Sequence, residues 1–156
     1  MYKNKEVYKK SIKFLLNKKA DKLKHSGKTF LEHLVNVADI LEHWGCNFDT
    51  VMAGMFHNIY GNKYYNPNLK VTRKDIQKLI GKKAEKLVWL FETTDRDNIL
   101  QLKNLDLLLI KLANDFEQSN IRKASWGNIN YEIKNIKEFN LNKINYVLYK
   151  LDNYTK

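Results

Sequence analysis

Apolar residues recur every three or four positions along this chain, and each such run predicts an amphipathic helix with one core-facing stripe. Between Glu6 and Ala20, Val7, Ile12, Leu15 and Leu16 sit among lysines, as on a helix that lies on a core with its basic face solvated. A second stripe, Phe30, Leu34, Val37, Leu41 and Trp44, starts near Thr29 and is stopped by Gly45. Asp49 is the expected N-cap of a third helix that carries Met52, Met55, Phe56 and Ile59 and ends at Gly61. Residues 61–72 read as a loop, with asparagines, the only proline and the pair Tyr64–Tyr65. Thr72 with Asp75 predicts a capping box for a short helix ending near Leu79. Gly81 separates it from a stripe of Ala84, Leu87, Val88 and Phe91. The most apolar run, Ile99 to Gln118, places Leu102, Leu105, Leu109, Leu112 and Phe116 on one face and is expected to be central. Ile129, Ile133 and Ile136, then Ile144, Val147, Leu148 and Leu151, predict two further helices or one broken near Asn140.

With six glycines, one proline and no alternating β-branched run, the expected fold class is all-α. A chain of 156 residues that is 44% hydrophobic supports one core, so 1–156 is read as a single domain, a compact helical bundle. Cys46 is the only cysteine, which excludes an internal disulfide framework and a cysteine-rich zinc site and suits a reducing, cytoplasmic setting. The basic N-terminal segment has too short an apolar run for a signal peptide, and no stretch approaches a membrane span of about 18 to 20 apolar residues. The net charge of +11 invites an anionic partner. The lysines are nevertheless dispersed among asparagines and isoleucines, and no helix-turn-helix, RNA-binding or zinc-finger signature accompanies them. Nucleic acid is therefore the weakest partner reading, and attraction for a small phosphorylated or otherwise anionic ligand the stronger corollary.

All four histidines fall between His25 and Gly61. His33 lies beside the second stripe, and His57 lies on a face shared with the small residues Ala53 and Gly54. Two helices joined by a tight turn can bring two imidazoles together, as a transition-metal site requires. The alternative is that each is a packed, hydrogen-bonded core residue. His25 and Ser26 precede the helix and Tyr60 ends the next. Arg96 offers a bidentate fork for phosphate or carboxylate, unless it forms a salt bridge with Asp97 or another surface carboxylate. Asn114 and Glu117 share a face of the apolar helix, with Gln118 one turn beyond Asn114.

Several of these stretches bear a resemblance to one family. HSGKTFLEHLVNVADIL, AGMFHN, DIQKLIGKKAEKLV and LLLIKLAND, spanning about 24–118, resemble the HD-domain superfamily of metal-dependent phosphohydrolases, and most of all the hydrolase half of the bifunctional (p)ppGpp synthetase/hydrolases. The resemblance implies an HD-type bundle with a divalent metal (Mn, Zn, Fe or Mg) held at His33, His57, Asn58 and Asn114. It also implies a phosphorylated or nucleotide-like ligand near His25, Ser26, Tyr60, Arg96, Glu117 and Gln118. The family's ligand set is His, His, Asp, Asp, however, and both carboxylates are amides here. Its Glu-Asp pair for water activation falls on Gly61 and Asn62. HSG, FHNIYG, LIGKKAEKLVWLF and KLANDFEQ also resemble an HD-derived family of unknown function in which such departures are normal. Two readings follow: a divergent metal-dependent phosphohydrolase, or a metal-free, non-catalytic binding module derived from one.

Overall fold

The computed structural model describes residues 5–119 continuously and, beyond them, Tyr131, Ile133, Ile136, Asn142, Ile144, Tyr146, Val147 and Tyr149. The helices expected over 129–151 lie mostly outside the described residues. Six α-helices are seen among the described residues: α1 Lys5–Asn17, α2 Phe30–His43, α3 Phe48–Met55, α4 Arg73–Ile80, α5 Lys82–Thr93 and α6 Leu105–Gln118. The fold is an all-α bundle, as the periodicity predicts.

Local chemistry sets the helix ends. Thr29 caps α2 in a reciprocal box, its hydroxyl accepting from the Glu32 N–H while Glu32 accepts from the Thr29 N–H at 2.8 Å. Thr72 and Asp75 do the same for α4, as expected. The cap of α3 is Asn47 rather than Asp49, because only Asn47 stands three residues before the N–H it accepts from, that of Thr50 at 3.0 Å. α3 also stops at Met55 instead of running to Gly61. The Phe56 N–H turns back to Ala53 O and the Ile59 N–H to Phe56 O, so 56–60 continues as tight turns with its apolar side chains still buried. Likewise the apolar run from Ile99 is not one helix. Arg96–Leu102 forms a 3-10 helix, Lys103 takes a left-handed φ of 49°, and α6 starts afresh from an Asn104 cap.

Two two-residue strands, β1 Lys24–His25 and β2 Lys28–Thr29, pair antiparallel across a turn in which Ser26 and Gly27 have φ of 48° and 79°. Positive φ at both turn positions matches the twist of a hairpin. The periodicity did not predict this hairpin, which is only two residues long on each side.

α6 is the buried axis, with Leu107, Leu108, Ile110, Leu112, Ala113 and Phe116 at most 1% exposed. α2 and α3 pack on it, and α3 approaches α2 so closely that a Cβ on Gly54 would overlap Leu41 Cδ1. That approach brings the end of α3 against the middle of α2. Ile133, Ile136, Ile144 and Val147 add to the same core.

Candidate functional site

Three elements meet at the site: the first turns of α2, the turn after α3 and the last turns of α6. His33, His57 and Glu117 are almost fully buried there, at 0%, 0% and 5% exposure. His33 Nδ1 lies 2.6 Å from Glu117 Oε2 and His33 Nε2 lies 3.1 Å from His57 Nε2. His57 Nδ1 is 2.7 Å from Gly54 O, and His57 Nε2 is 3.0 Å from Asn114 Oδ1. Glu117 Oε1 accepts from Lys28 Nζ and from Asn36 Nδ2.

These partners assign the protons. Burial alone would raise the Glu117 pKa, but the hydrogen bonds from His33, Lys28 and Asn36 outweigh it and hold the carboxyl down at about 2. An ionised carboxylate and a backbone carbonyl only accept, so both Nδ1 atoms carry hydrogen. The two Nε2 lone pairs then face each other. Burial, followed by His33 and Arg96, lowers the His57 pKa well below its ordinary value and keeps that ring neutral.

His25 stacks on His33 with ring centres 4.1 Å apart and an interplanar angle of 18°, and Tyr65 meets it edge-on at 4.5 Å. Burial, then the neighbouring His33, pushes its pKa down to about 4, so it is neutral. It is 7% exposed, and its Nδ1 has no hydrogen-bond partner beyond its own backbone.

Beside this row opens a polar cavity of about 400 Å³. Its walls are Lys24, His25 and Ser26 of the hairpin, Tyr64 and Tyr65 of the loop, Asn58 and Arg96, and Asn114, Asp115 and Gln118 of α6. Arg96 is fixed from three sides. Its guanidinium lies 4.6 Å from the Phe91 ring centre and 4.9 Å from that of Tyr64, while Nη2 donates to Asn58 Oδ1 at 3.2 Å. Tyr64 is strapped in turn, its hydroxyl donating to Asp95, which also pairs with Lys63.

Of the four residues the HD resemblance assigns to a metal, His33, His57 and Asn114 converge. Asn58 Oδ1 instead accepts from Arg96 and from Asn62 Nδ2. Of the other candidates, His25, Ser26, Arg96 and Gln118 line the cavity, whereas Glu117 is taken up beneath it by His33 and Lys28. Tyr60 points elsewhere, donating its hydroxyl to Glu85 at 2.9 Å and its N–H to Glu92. Arg96 meets Asn58 rather than Asp97. His57 sits in the turn after α3, not on a helix face with Ala53 and Gly54. Sequence reasoning missed Asp115, Lys28 and Asn36, whose roles depend on partners more than 50 residues away or on the cavity; adjacency to Asn114 was the only hint for Asp115.

The chain belongs to the DUF6817 family. The model of this domain of unknown function matches residues 14–96, which carry the hairpin, His33, His57 and Arg96. The α6 residues of the site lie beyond the matched span of the DUF6817 domain. No curated protein and no solved structure matches the chain.

Proposed function

We propose that this DUF6817 protein binds a small anionic molecule, of the phosphate-ester or nucleotide class, in the cavity beside the histidines, without a metal. Arg96 carries the reading. It is held between two rings with one N–H on Asn58, and its other donors have no hydrogen bond among the described residues. A guanidinium so fixed has already lost the rotamer freedom that capture of an anion would cost, and its planar fork matches a phosphate. Lys24 adds a second positive charge to the walls.

The metal implied by the HD resemblance has one observation in its favour. Donors about 2.1 Å from one ion sit about 3 Å apart when they meet near a right angle, and both Nδ1–H groups are anchored as those of ligating histidines are. Three features outweigh it. No three His, Cys, Asp or Glu side chains among the described residues are placed to hold one metal ion, Glu117 being on the far nitrogen of His33, so two rings and one amide oxygen would have to hold a dication. Asn58 is turned to a guanidinium, whose charge repels one. Neither His33 nor His57 lines the cavity, whereas a hydrolytic metal keeps an open position for water. The residues present do not fit a resident hydrolytic metal. Binding rather than turnover is the conclusion.

Isothermal titration with inorganic phosphate and pyrophosphate in EDTA tests it. Saturable binding is expected, weakened about tenfold or more in Arg96→Met by loss of a charge-assisted hydrogen bond. Binding that appears only when manganese or zinc is supplied would overturn the proposal in favour of the metal reading.

A further inference from the structure

Arg96 is not the only charged group in the cavity wall; Asp115 is there too. The two attract each other, yet no hydrogen bond joins them. A pocket for a bare anion would be better off without that carboxylate, which opposes any negative ligand placed against Arg96. We infer that the anionic group is carried on a hydroxylated skeleton, that of a sugar phosphate, and that Asp115 selects it by accepting from a ligand hydroxyl. The inference rests on the anion reading above.

Asp115 keeps acceptor capacity for this. Its Oδ2 meets Lys111 Nζ at 2.6 Å and its Oδ1 accepts from Asn114 Nδ2 at 3.3 Å, two bonds for a carboxylate that offers about four lone-pair sites. Lys111 also decides what kind of donor is taken. It offsets the charge of Asp115, and with Arg96 and Lys24 nearby the balance is positive, so a ligand ammonium is disfavoured and a neutral O–H favoured. The rest of the wall suits a polyol. Gln118 Nε2 and the Ser26 hydroxyl stand 3.5 Å apart, a long contact that an inserted hydroxyl would replace. A cavity of about 400 Å³ holds a pentose phosphate.

The test is titration calorimetry in EDTA with inorganic phosphate, ribose 5-phosphate and phosphoethanolamine on wild type, Asp115→Ala and the isosteric Asp115→Asn, each checked by its melting curve. Wild type is expected to prefer ribose 5-phosphate over phosphate about tenfold, the value of one charge-assisted hydrogen bond. Asp115→Ala should reduce that preference to about threefold or less, with Asp115→Asn in between and phosphate affinity undiminished in both. Phosphoethanolamine should bind no better than phosphate. A preference that survives intact in folded Asp115→Asn, or a preference for phosphoethanolamine, overturns the inference. If phosphate binds through Arg96 but ribose adds nothing, this inference alone fails; if no probe binds wild type, the anion reading fails and takes it down.

Discussion

Gly54→Ala sets two effects of opposite sign against each other, and the structure says which wins. Helix propensity favours alanine by up to about 1 kcal/mol. The new methyl, however, would overlap Leu41 Cδ1 and sit 3.4 Å from Val37 Cγ1. Leu41 and Val37 are 0% exposed, so Leu41 can yield only by moving its own packed neighbours. Overpacking of this kind costs about 1–3 kcal/mol. The net expectation is a loss of about 1–2 kcal/mol, read as a melting temperature lower by about 2–8 °C for a chain of this size. Leu41→Ala provides the control. On its own it should cost about 2–5 kcal/mol through the cavity it leaves. In that background the Gly54→Ala methyl enters vacated space and should become neutral or stabilising, a coupling of about 1 kcal/mol or more between the two sites. Thermal and urea unfolding of the four proteins measures it. If Gly54→Ala raises stability in the wild-type background, or has the same effect in both backgrounds, the close approach of α2 and α3 is not what holds His33 against His57.

The helices were legible because amphipathic periodicity reports burial directly, and the Thr72–Asp75 cap because its chemistry is contained within four residues. The end of α3 was not. Phe56 and Ile59 keep the helical spacing after the helix has ended, since the turn buries them as a helix would. Periodicity reads the burial of a residue and cannot tell which backbone delivers it. The apolar run from Ile99 failed for the same reason, with Ile99 buried from a 3-10 helix rather than from α6. At the site, the pairing of His33 with His57 was anticipated from two helices around a turn. The engagement of Asn58 by Arg96, 38 residues on, was not, because it depends on how two irregular segments are seated. Read residue by residue, Asn58 looked like a weakened metal ligand. Beside Arg96 it is an acceptor for a guanidinium, a task an aspartate would perform by forming an ion pair and cancelling the charge the cavity presents.

Elemental analysis of wild-type protein purified without added metal should find well under one equivalent of zinc, manganese or iron, and EDTA should leave its melting temperature unchanged; a stoichiometric metal would refute the metal-free reading. Glu117→Gln should destabilise by about 3 kcal/mol, because it leaves His33 and Lys28 facing a neutral amide; a change below about 0.5 kcal/mol in urea unfolding would show that the cluster does not bind α2 to α6. The last prediction concerns Glu92, whose two oxygens accept from the Tyr60 N–H at 3.1 and 3.2 Å. Burial raises its pKa from 4.5 to about 9, against the lowering by the Tyr60 N–H and Arg96. The folded protein thus holds a proton that the unfolded chain has released throughout the window from about 4.5 to about 9. Where the folded state binds more protons, stability falls as pH rises. The contribution of Glu92 is therefore fully present below pH 4.5 and is lost progressively up to about pH 9. Gln is the neutral isostere and retains an acceptor for Tyr60, so Glu92→Gln should melt a few degrees above wild type at pH 8. The gap should close as the pH is lowered toward 4.5, where both side chains are neutral in the fold and Glu92 is half protonated when unfolded. A variant that melts below wild type at pH 8, or a gap independent of pH, would mean that Glu92 is ionised beside Arg96 and that the positive charge of the cavity is already spent within the protein.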